Sequence, residues 1–254
     1  MTIAKPNVDF RHSHSNAETF NKNRCKWVME NIYGYIGTKS DAMIRGSSAE
    51  FGCNEKLQND DTNIEKVIKE NFIERGGHDE TELIFAQKCG QLMYEFLTEF
   101  QFKPTEYQMF LNSNGKEYGL KYPIVGYTDW LDSKNHKMVI DGKSTKRVMS
   151  KASHTATRQQ GLYYGLSGKQ WKFGLLYASN SKYNFIEIPK EELEEGFDTS
   201  IKLFKQIENE MTKYSTLKEW VNSCPYPNFD DWEWNYDEEL KNLTKEIWRS
   251  LWQT

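Results

Sequence analysis

Three ionisable residues lie close enough in this sequence to do chemistry together: Asp129, Asp141 and Lys143. The stretch from Ile124 to Arg147 reads as two β-strands, Val125 to Leu131 and Met138 to Lys143, joined by the polar turn Asp132-Ser133-Lys134-Asn135. Asp141 and Lys143 are two residues apart, so on a strand they share one face. Asp129 lies close to where the first strand enters the turn. Beside apolar Val139 and Ile140, a carboxylate and an ammonium are costly to bury unless they pair with each other or bind a metal. The residues alone leave both readings open, a structural ion pair or a metal-ligating acid–base pair.

The elements around this hairpin come from periodicity and caps. Upstream, helices are expected at 16 to 33 (opened by Asn16), from about Ser47, at 61 to 74 and at 80 to 100. The last carries an apolar stripe of Leu83, Ile84, Cys89, Leu92, Met93, Phe96 and Leu97. After Pro104 the period changes to two: Tyr107 to Leu111 is expected as a strand, Asn112 to Gly115 as a hairpin turn, and Tyr118 to Leu131 as the next strand. A helix at 154 to 167 and strands at 171 to 178 and 183 to 188 come next. The expectation is an α+β fold, an α/β/α core whose mixed sheet of about five strands is flanked by helices. Residues 1 to 190 would form this core, and 191 to 254 an acidic, Trp-rich helical extension packed on it.

Four motifs in order resemble the PD-(D/E)XK nuclease superfamily in its RecB-like branch, which includes phage-type exonucleases and the mitochondrial genome maintenance exonuclease. Gly126-x-x-Asp129, a turn, then Val139-Ile140-Asp141-Gly142-Lys143-Ser144 matches the acidic residue and D-x-K of that family. Downstream, Gln159 and Tyr163 have its Q-x-x-x-Y spacing; Gln160 and Tyr164 have the same spacing, and the register is open. Either pair would share a helix face. Upstream, Arg45-Gly-Ser-Ser-Ala-Glu50 is similar to the segment that supplies a further metal-site residue, with Glu50 where many members have His. Near the start, Ser13, Ser15, Phe20 and Cys25 match the family's S-x-S…F…C pattern, with Lys26 in place of its proline. Iron–sulfur members need three further cysteines near the C-terminus; beyond the hairpin this chain has only Cys224, so a four-thiolate cluster is not expected.

The resemblance covers roughly residues 13 to 190 and implies a Mg2+- or Mn2+-dependent nuclease. Asp129, Asp141 and Glu50 would be metal ligands, with the Gly142 backbone carbonyl as a further one. Lys143 would orient the nucleophile or stabilise developing charge, and Gln159 and Tyr163 would position the strand or its phosphate. Arg45, Lys146, Arg147, Lys151 and Arg158 would contact DNA. Ser144 and Thr145 would shape the site. No G-x-x-x-x-G-K-S/T helicase motif is present, so the expected activity is an exonuclease on single-stranded or duplex DNA ends in recombination, repair or replication, with a replication or recombination protein as a possible partner. A sequence- or structure-specific endonuclease and a non-catalytic nucleic-acid-binding module remain as alternatives. Polarity and the number of metals stay open.

Composition narrows the classes. The 254 residues carry a net charge of -4, which argues against a protein that coats nucleic acid indiscriminately. Yet Ser133 to Lys172 holds nine basic residues and one acid, Asp141. That island is either a cleft for a polyanion or a solvated surface. Residues 191 to 254 reverse the balance, with fifteen acidic against seven basic residues. The tail tryptophans Trp220, Trp232, Trp234, Trp248 and Trp252 are expected to pack inward rather than to stack on bases. No apolar run is long enough to span a membrane and no secretory leader is visible. Four scattered cysteines (Cys25, Cys53, Cys89, Cys224) fit a reducing compartment, and the expected location is the cytoplasm of a bacterium or phage-infected host.

Overall fold

The computed structural model describes residues 10–214, 216–223, 227–230, 234 and 237–252. Helices α1 (His14–Lys22) to α5 (Glu80–Glu99) precede strand β1 (Glu106–Ser113), and β2 (Ile124–Asp132) and β3 (Met138–Ser144) form the expected pair. Helix α6 (His154–Leu166), strands β4 (Lys172–Ala178) and β5 (Tyr183–Glu187), and helices α7 (Lys190–Lys213), α8 (Leu217–Ser223) and α9 (Glu238–Trp252) complete the order. One sheet runs β1-β2-β3-β4-β5. The β2/β3 and β4/β5 pairs are antiparallel and β3/β4 is parallel, so the fold is α+β with a mixed central sheet flanked by helices. No helix among the described residues is long and apolar enough to cross a membrane.

Several boundaries differ from expectation for local reasons. The helix expected at 16 to 33 is two, α1 and α2 (Arg24–Asn31), because Asn23 takes φ -146 and ψ 86. Its N–H still bonds Thr19 O at 2.7 Å while its side-chain oxygen accepts the Lys26 N–H at 3.0 Å, ending one helix and capping the next. Ser13, not Asn16, opens α1: the two form a reciprocal capping box. Helix α3 (Asp41–Gln58) is capped by Ser40 and starts six residues ahead of Ser47. Strand β2 starts at Ile124 instead of Tyr118, since Gly115 and Gly119 both take left-handed backbone around a short 3-10 turn.

The chain divides into two compact units. One comprises Lys39–Leu111 and Gly126–Phe197. In it α3, α4 (Ile64–Glu74) and α5 pack together, and Ala86, Cys89, Met93 and Leu97 of α5 join Trp130, Ile140 and Leu176 of the sheet in one apolar core. Spacings of three and four place those α5 residues on one stripe, whereas Ile84, expected in it, is 46% exposed. The other unit gathers residues up to Thr38, Asn112–Val125 and the chain from Asp198 onward. Trp27 is its aromatic hub, with Phe10, Phe20 and Trp220 at centroid distances of 5.8, 5.2 and 5.7 Å. Trp220, Trp234 and Trp248 are buried there. The division falls inside α7, between Phe197 and Asp198, and groups the C-terminal helices with α1 and α2. Cys224 and Trp232, and the side chain of Trp252, lie outside the described residues.

Candidate active site

Trp130 pairs with Ile140 in the β2/β3 ladder. One residue further, Asp129 turns its carboxylate to the partner strand and accepts the Gly142 N–H at 2.8 Å. On β3, Asp141 is 2% exposed and its Oδ2 lies 2.5 Å from Lys143 Nζ, as the two-residue repeat requires of neighbours on one face. Lys143 also donates to Gln159 Oε1 at 3.0 Å, and Gln159 Nε2 donates to the Tyr163 hydroxyl at 3.0 Å. A continuous chain thus runs Asp141, Lys143, Gln159, Tyr163 from β3 onto α6.

Gln160 does not enter this chain. It is fully buried, and neither side-chain amide atom has a hydrogen-bond partner. Tyr164, its partner in the alternative register, sits edge-on to Phe173 of β4 at 6.0 Å. A helix turns about 100° per residue, so one step in register separates two faces.

Two glycines let the parts approach. A Cβ on Gly142 would meet the Trp130 ring at 3.0 Å and Glu50 Cγ at 3.2 Å, so the bare backbone brings Glu50 of α3 to β3 beside the aspartates. A Cβ on Gly126 would lie 2.4 Å from Tyr163 Cε1, which gives the glycine of the G-x-x-D motif a steric role. Gly126→Ala is expected to displace the Tyr163 ring and destabilise the protein by about 1–3 kcal/mol. Urea unfolding checks this, and an unchanged midpoint would show that the ring is free to move.

The electrostatics are those of crowded carboxylates. Removal from water, then the charge of Asp129, raises Glu50 well above the usual range. Removal from water and then Asp141 push Asp129 up to about 8, against the opposing pull of Lys143 and the Gly142 N–H. Burial disfavours the Lys143 ammonium, but Asp141 and Asp129 outweigh it and hold its pKa above the ordinary value. Between the ordinary 3.8 of Asp129 and about 8, the folded chain retains a proton that the unfolded chain has lost. Stability therefore falls as pH rises through that window, by about 1.4 kcal/mol per pH unit for one such proton. Comparing urea midpoints at both ends of the window for wild type and Asp129→Asn isolates this contribution. A slope shared by both proteins would count against it.

By donor type the three carboxylates suit a hard divalent cation, whose charge would offset the burial and the mutual repulsion that raise Glu50 and Asp129. They are not drawn into a closed cage: no group of three His, Cys, Asp or Glu side chains among the described residues is set to ligate a metal as it stands. The counter-charge at Asp141 is Lys143.

The expected DNA contacts separate. Arg45 is 6% exposed and fully engaged: it pairs with Glu82, donates to Ser144 Oγ at 2.9 Å and Ser144 O at 3.2 Å, and lies over the Phe85 ring. It is a buried strut between α3, α5 and β3, not a group presented to a phosphate. Lys146, Arg147 and Lys151 are exposed, with Lys146 3.6 Å from Glu82, and Arg158 is half-buried. The basic island divides as well, since Lys137, Lys169 and Lys172 line a cavity where β3 and β4 begin, whereas Lys143 lies toward the other end of β3. Ser144 Oγ bonds Cys89 Sγ at 3.3 Å, and the Thr145 N–H is held by Ala178 O at 2.8 Å.

Two residues that sequence reasoning did not single out lie within electrostatic reach of the carboxylates. Tyr107 of β1 is raised above its ordinary pKa by burial and then by Glu50 and Asp129, which places its phenol within their field. Arg75 acts on Glu50 in the opposite sense. Tyr107 reads in sequence as an ordinary strand residue and Arg75 as part of a polar turn. No local signal marks either.

No family model matches the chain, and no curated protein matches it. Among solved structures, a candidate exonuclease from Eubacterium rectale matches with a TM-score of 0.56 at 13% identity, covering 87% of this chain and 92% of its own. The two share a fold. The structure of SSO0001 matches over 82% of this chain and 92% of its own at 14% identity, with a TM-score of 0.36, too low to bear on the fold.

Proposed function

We propose that the protein is a metal-dependent deoxyribonuclease of the PD-(D/E)XK type that hydrolyses phosphodiester bonds from DNA ends. The observation that carries this reading is the Asp141–Lys143–Gln159–Tyr163 chain, with Asp129 and Glu50 beside it. The fold shared with a candidate exonuclease supports the choice of exonuclease.

Asp129, Asp141 and Glu50, with the Gly142 carbonyl, would hold Mg2+ or Mn2+. Such an ion, when bound, neutralises phosphoryl charge and lowers the pKa of water. Lys143 holds its proton firmly, so it acts as a fixed positive charge and hydrogen-bond donor rather than as a base. Gln159 fixes the direction of that ammonium, and Tyr163 fixes Gln159. Burial pushes the Tyr163 phenol up to about 12, so it remains a neutral donor at physiological pH. Exposed Lys146, Arg147 and Lys151 would meet backbone phosphates.

The test is cleavage of end-labelled single-stranded, duplex and closed circular DNA with Mg2+, Mn2+ or EDTA. The reading expects metal-dependent loss of linear DNA with circles spared. Cut circles would make the protein an endonuclease. Retained DNA binding without cleavage under any metal would make it a binding module, and cleavage that survives excess EDTA would sink the metal mechanism.

A further inference from the structure

Where β3 and β4 begin, three residues of β3 from Asp141, lies a cavity of about 680 Å3. That volume is within the range of small-ligand sites, roughly 300–1,000 Å3. Four lysines line it: Lys137 ahead of β3, Lys169 after α6, Lys172 at the start of β4 and Lys190 at the start of α7. Trp171 is part of the same wall.

We propose that this cavity is a nucleotide-phosphate site, taking the phosphate of a nucleotide on its lysines and the base against Trp171, at a place separate from the carboxylate cluster. Four observations converge on it. The first is the charge: Lys137 makes no ion pair among the described residues, while Lys172 meets Glu187, which also lines the cavity, at 3.2 Å and Lys190 and Lys169 reach the half-exposed Glu194 at 3.8 and 4.0 Å. Exposed pairs of this kind are weak, so a phosphate could displace them.

Second, Tyr164 lines the cavity, is only 4% exposed, and its hydroxyl has no hydrogen-bond partner among the described residues. A hydroxyl that borders a basic cavity and is not engaged by the protein is suited to donate to a ligand oxygen. Third, Pro189 and Lys190 bring the N-terminus of the 24-residue α7 to the wall. The first helical bond there is Leu193 N–H to Pro189 O, so the amides of Lys190, Glu191 and Glu192 precede the helical ladder and face the positive end of the dipole. Glu191 and Glu192, which partly offset that dipole, are not among the lining residues.

Fourth, the rim is preformed. Lys137 and Lys169 both have left-handed backbone, φ 50 and 60. Each is held by a main-chain bond, Lys172 N–H to Lys137 O at 2.9 Å and Lys169 N–H to Tyr164 O at 3.0 Å. A stacking plane beside fixed positive charge suits a nucleotide better than a bare anion. This inference does not rest on the nuclease reading, because no residue of the carboxylate cluster lines the cavity.

Isothermal titration of the full chain with inorganic phosphate, deoxyadenosine monophosphate and a 5′-phosphorylated oligonucleotide, without divalent metal, tests it. The Lys137→Glu/Lys172→Glu variant should weaken nucleotide binding by at least about tenfold. Tyr164→Phe, which keeps the ring and its packing, should weaken it several-fold, and Trp171→Ala should weaken the nucleotide more than phosphate. Asp141→Asn should bind as wild type does, which separates this cavity from the carboxylate cluster. An oligonucleotide that binds far more tightly than the mononucleotide through the same lysines identifies a strand-holding site; equal affinities identify a site for free nucleotide. No binding of phosphate or mononucleotide at about 10 mM, or nucleotide binding indifferent to all three cavity variants, would overturn the proposal. Capture of a glutamate-rich peptide at the cavity in place of phosphate would overturn it too.

Discussion

Asp141→Asn and Lys143→Ala are each expected to lower DNA cleavage by about 10²–10⁴-fold while leaving the fold intact. The amide keeps the shape of Asp141 but removes the negative charge that both a divalent cation and Lys143 require. Losing Lys143 removes the one ammonium bonded within the cluster and leaves Asp141 and Asp129 without it. The defect should fall on kcat more than on KM, because the charge that Lys143 would offset grows in the transition state. Gln159→Ala, which releases Lys143 from its hydrogen bond, should give a smaller loss, and Gln160→Ala should leave kcat nearly unchanged. Single-turnover cleavage of labelled DNA, with circular dichroism of each variant, checks the series. Wild-type rates in Asp141→Asn would remove the cluster from the mechanism, and a larger kinetic loss in Gln160→Ala than in Gln159→Ala would reverse the helix register.

Arg45→Ala is expected to cost about 3 kcal/mol of stability, the lower end of the range for removing one partner of a buried ion pair. The Glu82 side chain is 14% exposed and among the described residues would keep Lys146, at 3.6 Å, as its ion-pair partner. Ser144 would lose two donors and Phe85 its guanidinium neighbour. A fall in Tm of about 6–12 °C corresponds to that figure at this chain length. Replacing both partners, as in Arg45→Met/Glu82→Leu, should recover much of the loss, since the double variant leaves no buried charge alone. DNA affinity should change little in either variant when measured below the new Tm. A selective loss of DNA binding at full stability would return Arg45 to the role of a phosphate contact.

Much of the fold could be read directly from the sequence. Period two located the β2/β3 pair, period 3.6 located α5, and polar clusters marked the turns between them, because each of these is a property of neighbouring residues. The nearness of Asp141 and Lys143 has the same origin: two residues apart on a strand is a local fact. Caps were less legible. Asn23 ends one helix and starts another through a backbone conformation that no pattern of apolar residues reveals, and Ser13 opens α1 where Asn16 was expected.

Contacts between distant segments were decided by the tertiary structure. Glu50 reaches β3 because Gly142 has no side chain to exclude it, and Tyr107 and Arg75 come within the field of Glu50 from segments that carry no motif. The family resemblance set Arg45 among the DNA contacts, and only packing shows that Glu82 and Ser144 engage its guanidinium. Gln159 and Gln160 are equivalent by spacing, and the face that α6 turns toward Lys143 separates them. The basic run from Ser133 to Lys172 is continuous in sequence, but the strands carry its lysines to opposite ends of the sheet. Sequence alone determined which residues can do chemistry and which neighbours share a face, because short-range geometry is set by the backbone period. Which distant groups meet, and which charges are already taken, depended on packing, where a single missing Cβ or one step of helix register changes the outcome.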